Sequence, residues 1–197
     1  MTKGEATKAS ILRQAADMAS IHGLEGLSIG RLAERTKLSK SGLFGHFGSK
    51  EALKQAVLEH VVEDFRSRVI LPALKQPTGV ARLDSLFGAW LDWTQAAERR
   101  GGCPLLGAAV ELDDRPGPLR DYLVARQQSW LEAIARMADK AVAEGEFRAG
   151  LDTAQLAFEV NSLGLGFSFA HRLLADPHAR RRAQTAFERL LRNARSA

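Results

Sequence analysis

The chain is poor in several things that particular folds and chemistries need. One cysteine, Cys103, stands in 197 residues, so no intramolecular disulfide can form. Val, Ile and Thr together number 21 against 31 Ala and 27 Leu, too few β-branched residues for a β-rich or alternating α/β fold. No stretch approaches the ~18 consecutive apolar residues of a membrane span. The most apolar, Ser162 to Ala170, is short and interrupted by Gly164, Gly166 and Ser168. The first residues, to Gly23, are polar and amphipathic and lack the unbroken apolar core of a signal peptide, which predicts a cytoplasmic protein. Catalytic signatures are missing too. There is no glycine-rich phosphate loop, no serine in a nucleophile-elbow setting and no paired His/Cys spacing, and the five histidines at 22, 46, 60, 171 and 178 are scattered. No catalytic residue, metal ligand set or cofactor is expected. Glu111, Asp113 and Asp114 cluster, but they precede a loop and read as a solvated helix end.

What is present is charge of uneven placement. The net charge is +5, but residues 1–50 carry +4, residues 176–197 another +4, and the stretch between them −3. A basic N-terminal segment suits a polyanionic partner, because lysine and arginine displace counterions condensed on phosphate. A solvated surface with chance asymmetry fits the same numbers.

Helical periodicity runs nearly end to end and predicts an all-α fold of about nine helices without strands or internal repeats. Ile11, Leu12, Ala15, Ala16 and Ala19 mark a first helix over Thr7 to Ile21, stopped by Gly23. Ser28 can cap a short helix to Arg35, Ser39 a third to about Phe47, and Ser49 a longer fourth that Pro72 should end. Longer helices follow: Thr78 to about Arg99, Pro104 to Leu112, and one from the Asp113–Pro118 loop to about Gly145. Asp152-x-x-Gln155 resembles a capping box, and Asp176-Pro177 reads as N-cap and first turn of a last helix. The boundaries expected are a domain over 1–48 and a larger helical one over 49–197, with the helix 49–70 linking them.

The first three helices have the spacing of a helix-turn-helix, in which a second short helix is exposed to enter a major groove. Leu32, Ala33, Leu38, Leu43 and Phe47 can anchor the pair, leaving Lys40, Ser41, Gly42, Phe44 and His46 outside. Short helix pairs also occur in proteins that bind no nucleic acid.

Within this segment, Leu43-Phe44-x-His46-Phe47-x-Ser49-Lys50-Glu51-x-Leu53 resembles the L-Y-x-H-F-x-S-K-E-x-L pattern of the tetracycline-repressor-like (TetR) family, with Phe44 where tyrosine is usual. The resemblance runs well from about Lys8 to Val61; further on, Gly102-Cys103-Pro104-Leu105 and Glu111-Leu112-Asp113-Asp114 resemble one C-terminal subfamily. It implies a ligand-responsive transcriptional regulator, most often a repressor. Such a protein is a homodimer on an inverted-repeat operator in double-stranded DNA, released by a small molecule. It places DNA contacts at Ser28, Arg31, Lys37, Ser39, Lys40, Ser41, Gly42, Phe44, His46 and Lys50. Arg13 is a further phosphate candidate, although Arg13 and Arg31 also read as ordinary surface arginines, and Lys3 and Lys8 can form a mobile basic arm. Lys37 departs from the glycine common at the turn, where a positive φ would carry a cost. Ser39 also reads simply as an N-cap, and His46 as a packed histidine. A helical enzyme with an unannounced site and a DNA-silent bundle are the rival readings.

For the C-terminal half, an apolar or aromatic effector is expected against Phe87, Trp90, Trp93, Trp130, Phe158 and His171, with Cys103 nearby, although each also fits an ordinary core. The stripe Leu156, Val160, Leu163, Phe167 and Leu174 has small residues between its members. With Phe187, Leu190 and Leu191 of the last helix it can form a dimer interface or an intrachain core. Arg180, Arg181 and Arg182 are expected on the polar rim.

Overall fold

The computed structural model describes residues 3–96 and 100–195. Apart from one isolated bridge between Phe147 and Arg195, no extended pairing occurs among the described residues, and the rest is helix and turn. The helices are α1 (Lys3–His22), α2 (Ile29–Thr36), α3 (Lys40–Phe47), α4 (Lys50–Phe65), α5 (Leu71–Leu74), α6 (Gly79–Gln95), α7 (Pro104–Leu112), α8 (Pro118–Ala143), α9 (Thr153–Arg172) and α10 (Ala179–Ala194). A π turn at Arg66–Ile70 joins α4 to α5, so these form one unbroken helical run, and the described residues make nine rods.

Two helix boundaries and one cap differ from expectation, each for a local reason. Pro72 does not end the fourth helix. The π turn before it widens the hydrogen-bond ladder, with the Leu71 N–H donating to Arg66 O, and places Pro72 in the first turn of α5, where no backbone donor is needed. Pro177 does not open the last helix either. Asp176 accepts from the His178 N–H at 2.9 Å in a tight turn, and α10 starts two residues later at Ala179. Gln155 completes only half a capping box: its N–H donates to Asp152 Oδ1 at 2.9 Å, while its amide turns forward to Glu159 at 3.0 Å. The expected end of the sixth rod, near Arg99, falls outside the described residues; the helix stops at Gln95. Lys3 and Lys8 belong to α1 rather than to an arm, and the Lys8 ammonium lies 5.6 Å from the centre of the Phe47 ring.

The chain divides into two compact units, one of residues 1–64 with 96–125 and the other of 65–95 with 126–197. The first therefore extends beyond the expected limit at residue 48. The first turns of α4 bury Leu53, Val57 and Leu58 completely, and α7 buries Ala108 and Leu112. In its core these join Ile11, Ala15, Leu24, Leu27, Leu32 and Leu43, each at most 1% exposed. The second unit is a bundle in which α9 and α10 pack most extensively on each other. Leu83, Phe87, Ile134, Val160, Phe187 and Leu191 fill it.

Candidate nucleic-acid interface

Three serines start the helices that shape the surface. Ser28 accepts from the Arg31 N–H at a long 3.5 Å, Ser39 from the Gly42 N–H at 3.0 Å, and Ser49 from the Ala52 N–H at 3.0 Å. Thr36, between the helix pair, donates to Leu32 O at 2.7 Å. The turn residue Lys37 adopts the left-handed conformation (φ 56, ψ 34), and its N–H closes α2 onto Ala33 O and Glu34 O. A lysine thus bears the positive φ usually left to glycine, and its side chain is exposed.

Leu43 (1% exposed) anchors α3, which leaves Lys40, Ser41 and Phe44 outward; Phe44 is 46% exposed, high for a phenylalanine. Ser39 and Ser41 share a hydroxyl hydrogen bond of 3.0 Å, so Ser39 is partly committed to its own helix. His46 is half-buried with its ring tilted against Phe47. Arg13 and Arg31 are exposed. Lys50, half-buried at the start of α4, donates to Glu25 O at 3.3 Å.

Behind this surface lies a set of ion pairs and caps that sequence periodicity does not reveal. Lys54 is 3% exposed and donates to Glu25 at 2.7 Å and Glu51 at 2.9 Å. Burial works to lower its pKa, but the two carboxylates outweigh it and hold it above 10.5; the Lys54 hydrogen bond in turn depresses Glu25. Asp17 receives both Arg35 and Arg100, the latter at 2.7 Å. Glu111 of α7 accepts from the Leu24 N–H at 2.8 Å and the Glu25 N–H at 3.3 Å, and Gly101 N–H donates to Ser20 Oγ at 3.0 Å. The residues 100–112 are thus tied to α1 and to the turn after it by side chains 80 or more positions away in sequence. That distance is why Glu111 reads from sequence as a solvated acid.

In the second unit, Phe65 meets Trp93 and Trp130 edge to face with centroids 5.0 Å apart, and Trp130 in turn meets Trp90 edge to face at 5.1 Å. Phe87 stacks on Phe187 at 4.2 Å, and Trp130 Nε1 donates to Asn161 Oδ1 at 3.0 Å. Phe65 and Asn161 were not among the expected lining residues; Phe65 shows in sequence only as one more apolar position on its helix. Phe158 is not part of this cluster. It is 61% exposed on the opposite side of α9, since its offset from Val160 points it away from the core. His171 stacks on Phe167 at 5.4 Å, and Cys103 belongs to the first unit as the residue preceding α7.

The expected dimer stripe is also corrected. Leu156, Val160, Phe167, Phe187 and Leu191 are at most 4% exposed within their own chain, so they serve its core. Of the stripe only Leu174 is exposed, with Leu163 and Leu190 half-buried. The apolar face α9 turns outward consists of Phe158, Leu165, Phe169 and, just past its end, Leu173, at 61, 39, 56 and 72% exposure. A groove of about 640 Å³ between α9 and α10 adjoins it, lined by Phe158, Ser162, Leu163, Arg189 and Leu190 with Arg148 among its polar residues. Arg180 is not free on a rim: it pairs with Asp92 and Gln95 of α6 at 2.7 Å, and Arg182 pairs with Asp176.

An outward-facing α3 bearing Lys40, joined to α2 by a tight turn and packed on the core of the first unit in an all-α chain, has the form of a helix-turn-helix DNA-binding protein. Residues 11–57 match the family model for bacterial regulatory proteins of the tetR family, and residues 79–187 that for the tetracyclin repressor-like C-terminal domain. The chain belongs to the TetR family of transcriptional regulators, and is not an enzyme. It is 24% identical over 152 residues to the HTH-type transcriptional repressor ComR of Escherichia coli K12, covering 77% of this chain and 72% of that one. Among solved structures, a TetR transcriptional regulator from Chloroflexus aurantiacus superposes with a TM-score of 0.88 at 27% identity over the whole of both chains. AibR, solved in complex with isovaleryl coenzyme A and operator DNA, superposes at 0.76 and 20% identity over 94% of this chain and 98% of its own. No described helix is long and apolar enough to cross a membrane.

Proposed function

We propose that the protein is a homodimeric repressor that reads an inverted repeat in double-stranded DNA through α3 and leaves it when a small molecule binds the second unit. The observation that carries this reading is the exposed surface of Lys40, Ser41 and Phe44 on a helix whose opposite side is sealed by Leu43. Base edges are met by Lys40 and Ser41, with Phe44 packing on apolar groups. Phosphates are met by Lys37, Arg31, Arg13 and Lys50, the last aided by the positive end of α4. Gly42 admits the backbone close to DNA; Ser28, Ser39 and His46 chiefly hold the helices.

The outward face of α9 and the adjoining groove support pairing with a second copy, which sets the spacing of two recognition helices. The aromatic cluster around Phe65 supports an apolar or aromatic effector, with Asn161 able to meet a polar tip. The helical run from Lys50 to Leu74 carries one end of the phosphate contact and, at Phe65, one wall of that cluster. An effector that favours the arrangement with the wrong helix spacing releases DNA by reciprocal linkage.

The test is selection of sites from random double-stranded DNA by the purified protein, with its oligomeric state measured on the same sample. An enriched inverted repeat bound by a dimer supports the reading. A folded dimer that enriches nothing at low and moderate salt removes it.

A further inference from the structure

Three glycines lie in α3 and at its end, and two have a reason inside the chain. Gly48 ends the helix at φ +76, a conformation side chains rarely tolerate. At Gly42 an added Cβ would stand 3.2 Å from Ser39 Oγ, the hydroxyl that caps the helix. Gly45 has no such reason. It is helical, an added Cβ would meet no atom within 4 Å, and glycine inside a helix is less stable than alanine because it gives up more backbone freedom. In a helix of eight residues that loss is not diluted.

Where Gly45 sits on the helix suggests what it is for. At about 100° per residue it lies roughly opposite the buried Leu43, at the centre of the outward side. Ser41 precedes it by one turn on the same line, and the 46%-exposed ring of Phe44 stands beside it. The middle of the recognition surface is therefore a notch with bare backbone as its floor and an apolar wall.

We infer that Gly45 is a specificity-determining position, whose notch seats the C5-methyl group of a thymine against the Phe44 ring when α3 lies in the major groove. This rests on the operator-binding reading above. Thymine alone projects an apolar group into that groove; the other base edges present donors and acceptors that a phenyl ring and a glycine Cα would leave unpaired. A Cβ at position 45 fills the space the methyl occupies and holds the helix away from the base.

The experiment compares wild type, G45A and G88A on the selected operator and on operators with single thymines replaced by uracil, which lacks only the methyl. Gly88 in α6 is a control, since an added Cβ there also meets nothing. Both variants should gain about 2–4 °C in Tm. G45A should lose about tenfold or more in affinity while G88A loses none. One thymine in each half-site should be sensitive to uracil replacement, by about fivefold for wild type and far less for G45A. A G45A protein that binds as tightly as wild type, or an operator indifferent to every uracil, overturns the inference while operator binding stands. A wild type that selects no sequence fails at the earlier reading and takes this one with it.

Discussion

Lys54 holds Glu25 at 2.7 Å from a position only 3% exposed, so a buried cation on α4 fixes the turn between α1 and α2. Its two carboxylate partners are 44% and 66% exposed and can return to water when the lysine is lost. The stem's packing should therefore matter more than the charge. Lys54→Met is expected to cost under about 1 kcal/mol and Lys54→Ala about 2–3 kcal/mol, read by urea unfolding. Equal losses for the two variants would show that the ion pair dominates.

Acid should loosen the first unit through Asp17. Burial works to raise its pKa, but Arg100 and Arg35 outweigh it and set the folded value below 3.8. A depressed carboxylate contributes stability that is full above the unfolded pKa and is lost as pH falls through the folded one. The contribution should thus be intact at neutral pH, begin to fall near about pH 4 and be gone only once the pH lies below the folded pKa. Asp17→Asn should be less stable than wild type at pH 7, by about 2 kcal/mol, with the two converging in acid. Parallel stability curves for the two proteins across that range would remove Asp17 from the acid transition.

How far the sequence discloses these features depends on the range of the interaction involved. The serine caps at 28, 39 and 49 and the buried Leu43 follow from neighbours within four residues, and each appears where the pattern places it. Glu111 on Leu24 and Arg100 on Asp17 join residues more than 80 positions apart, and no local pattern encodes them. The α9 stripe shows a third kind of limit. Periodicity identifies Leu156, Val160 and Phe167 as one face, but both sides of α9 carry large apolar residues, so it cannot say which side the chain covers itself. Pro72 and Pro177 were legible as helix punctuation, yet a π turn and an aspartate turn moved their effect by a few residues.

Charge placed on the outward face of α9 should separate the two copies. Phe169 and Leu173 are 56% and 72% exposed, so Phe169→Glu with Leu173→Glu disturbs little inside the chain. The pair of substitutions is expected to give a monomer by sedimentation that keeps the helical circular-dichroism signal, melts below wild type because stabilisation by association is lost, and binds the operator at least about a hundredfold more weakly. A variant that remains dimeric would move the interface elsewhere.

Lys50 offers the most direct measure of a phosphate contact. It begins α4 behind the Ser49 cap, and its ammonium lies 3.3 Å from Glu25 O, directed toward the turn between α1 and α2. Each phosphate neutralised releases counterions, and the logarithm of affinity then falls with the logarithm of salt concentration by roughly 0.9 per contact. Lys50→Ala should weaken binding to selected and random DNA alike and flatten that dependence by about 1 per protomer. The expected pattern differs from that of a base-reading residue such as Lys40, whose replacement should weaken the selected operator more than random DNA. A Lys50→Ala protein with lower affinity but an unchanged salt slope would mean that Lys50 acts by holding the α1–α2 turn through Glu25, with no contact to phosphate.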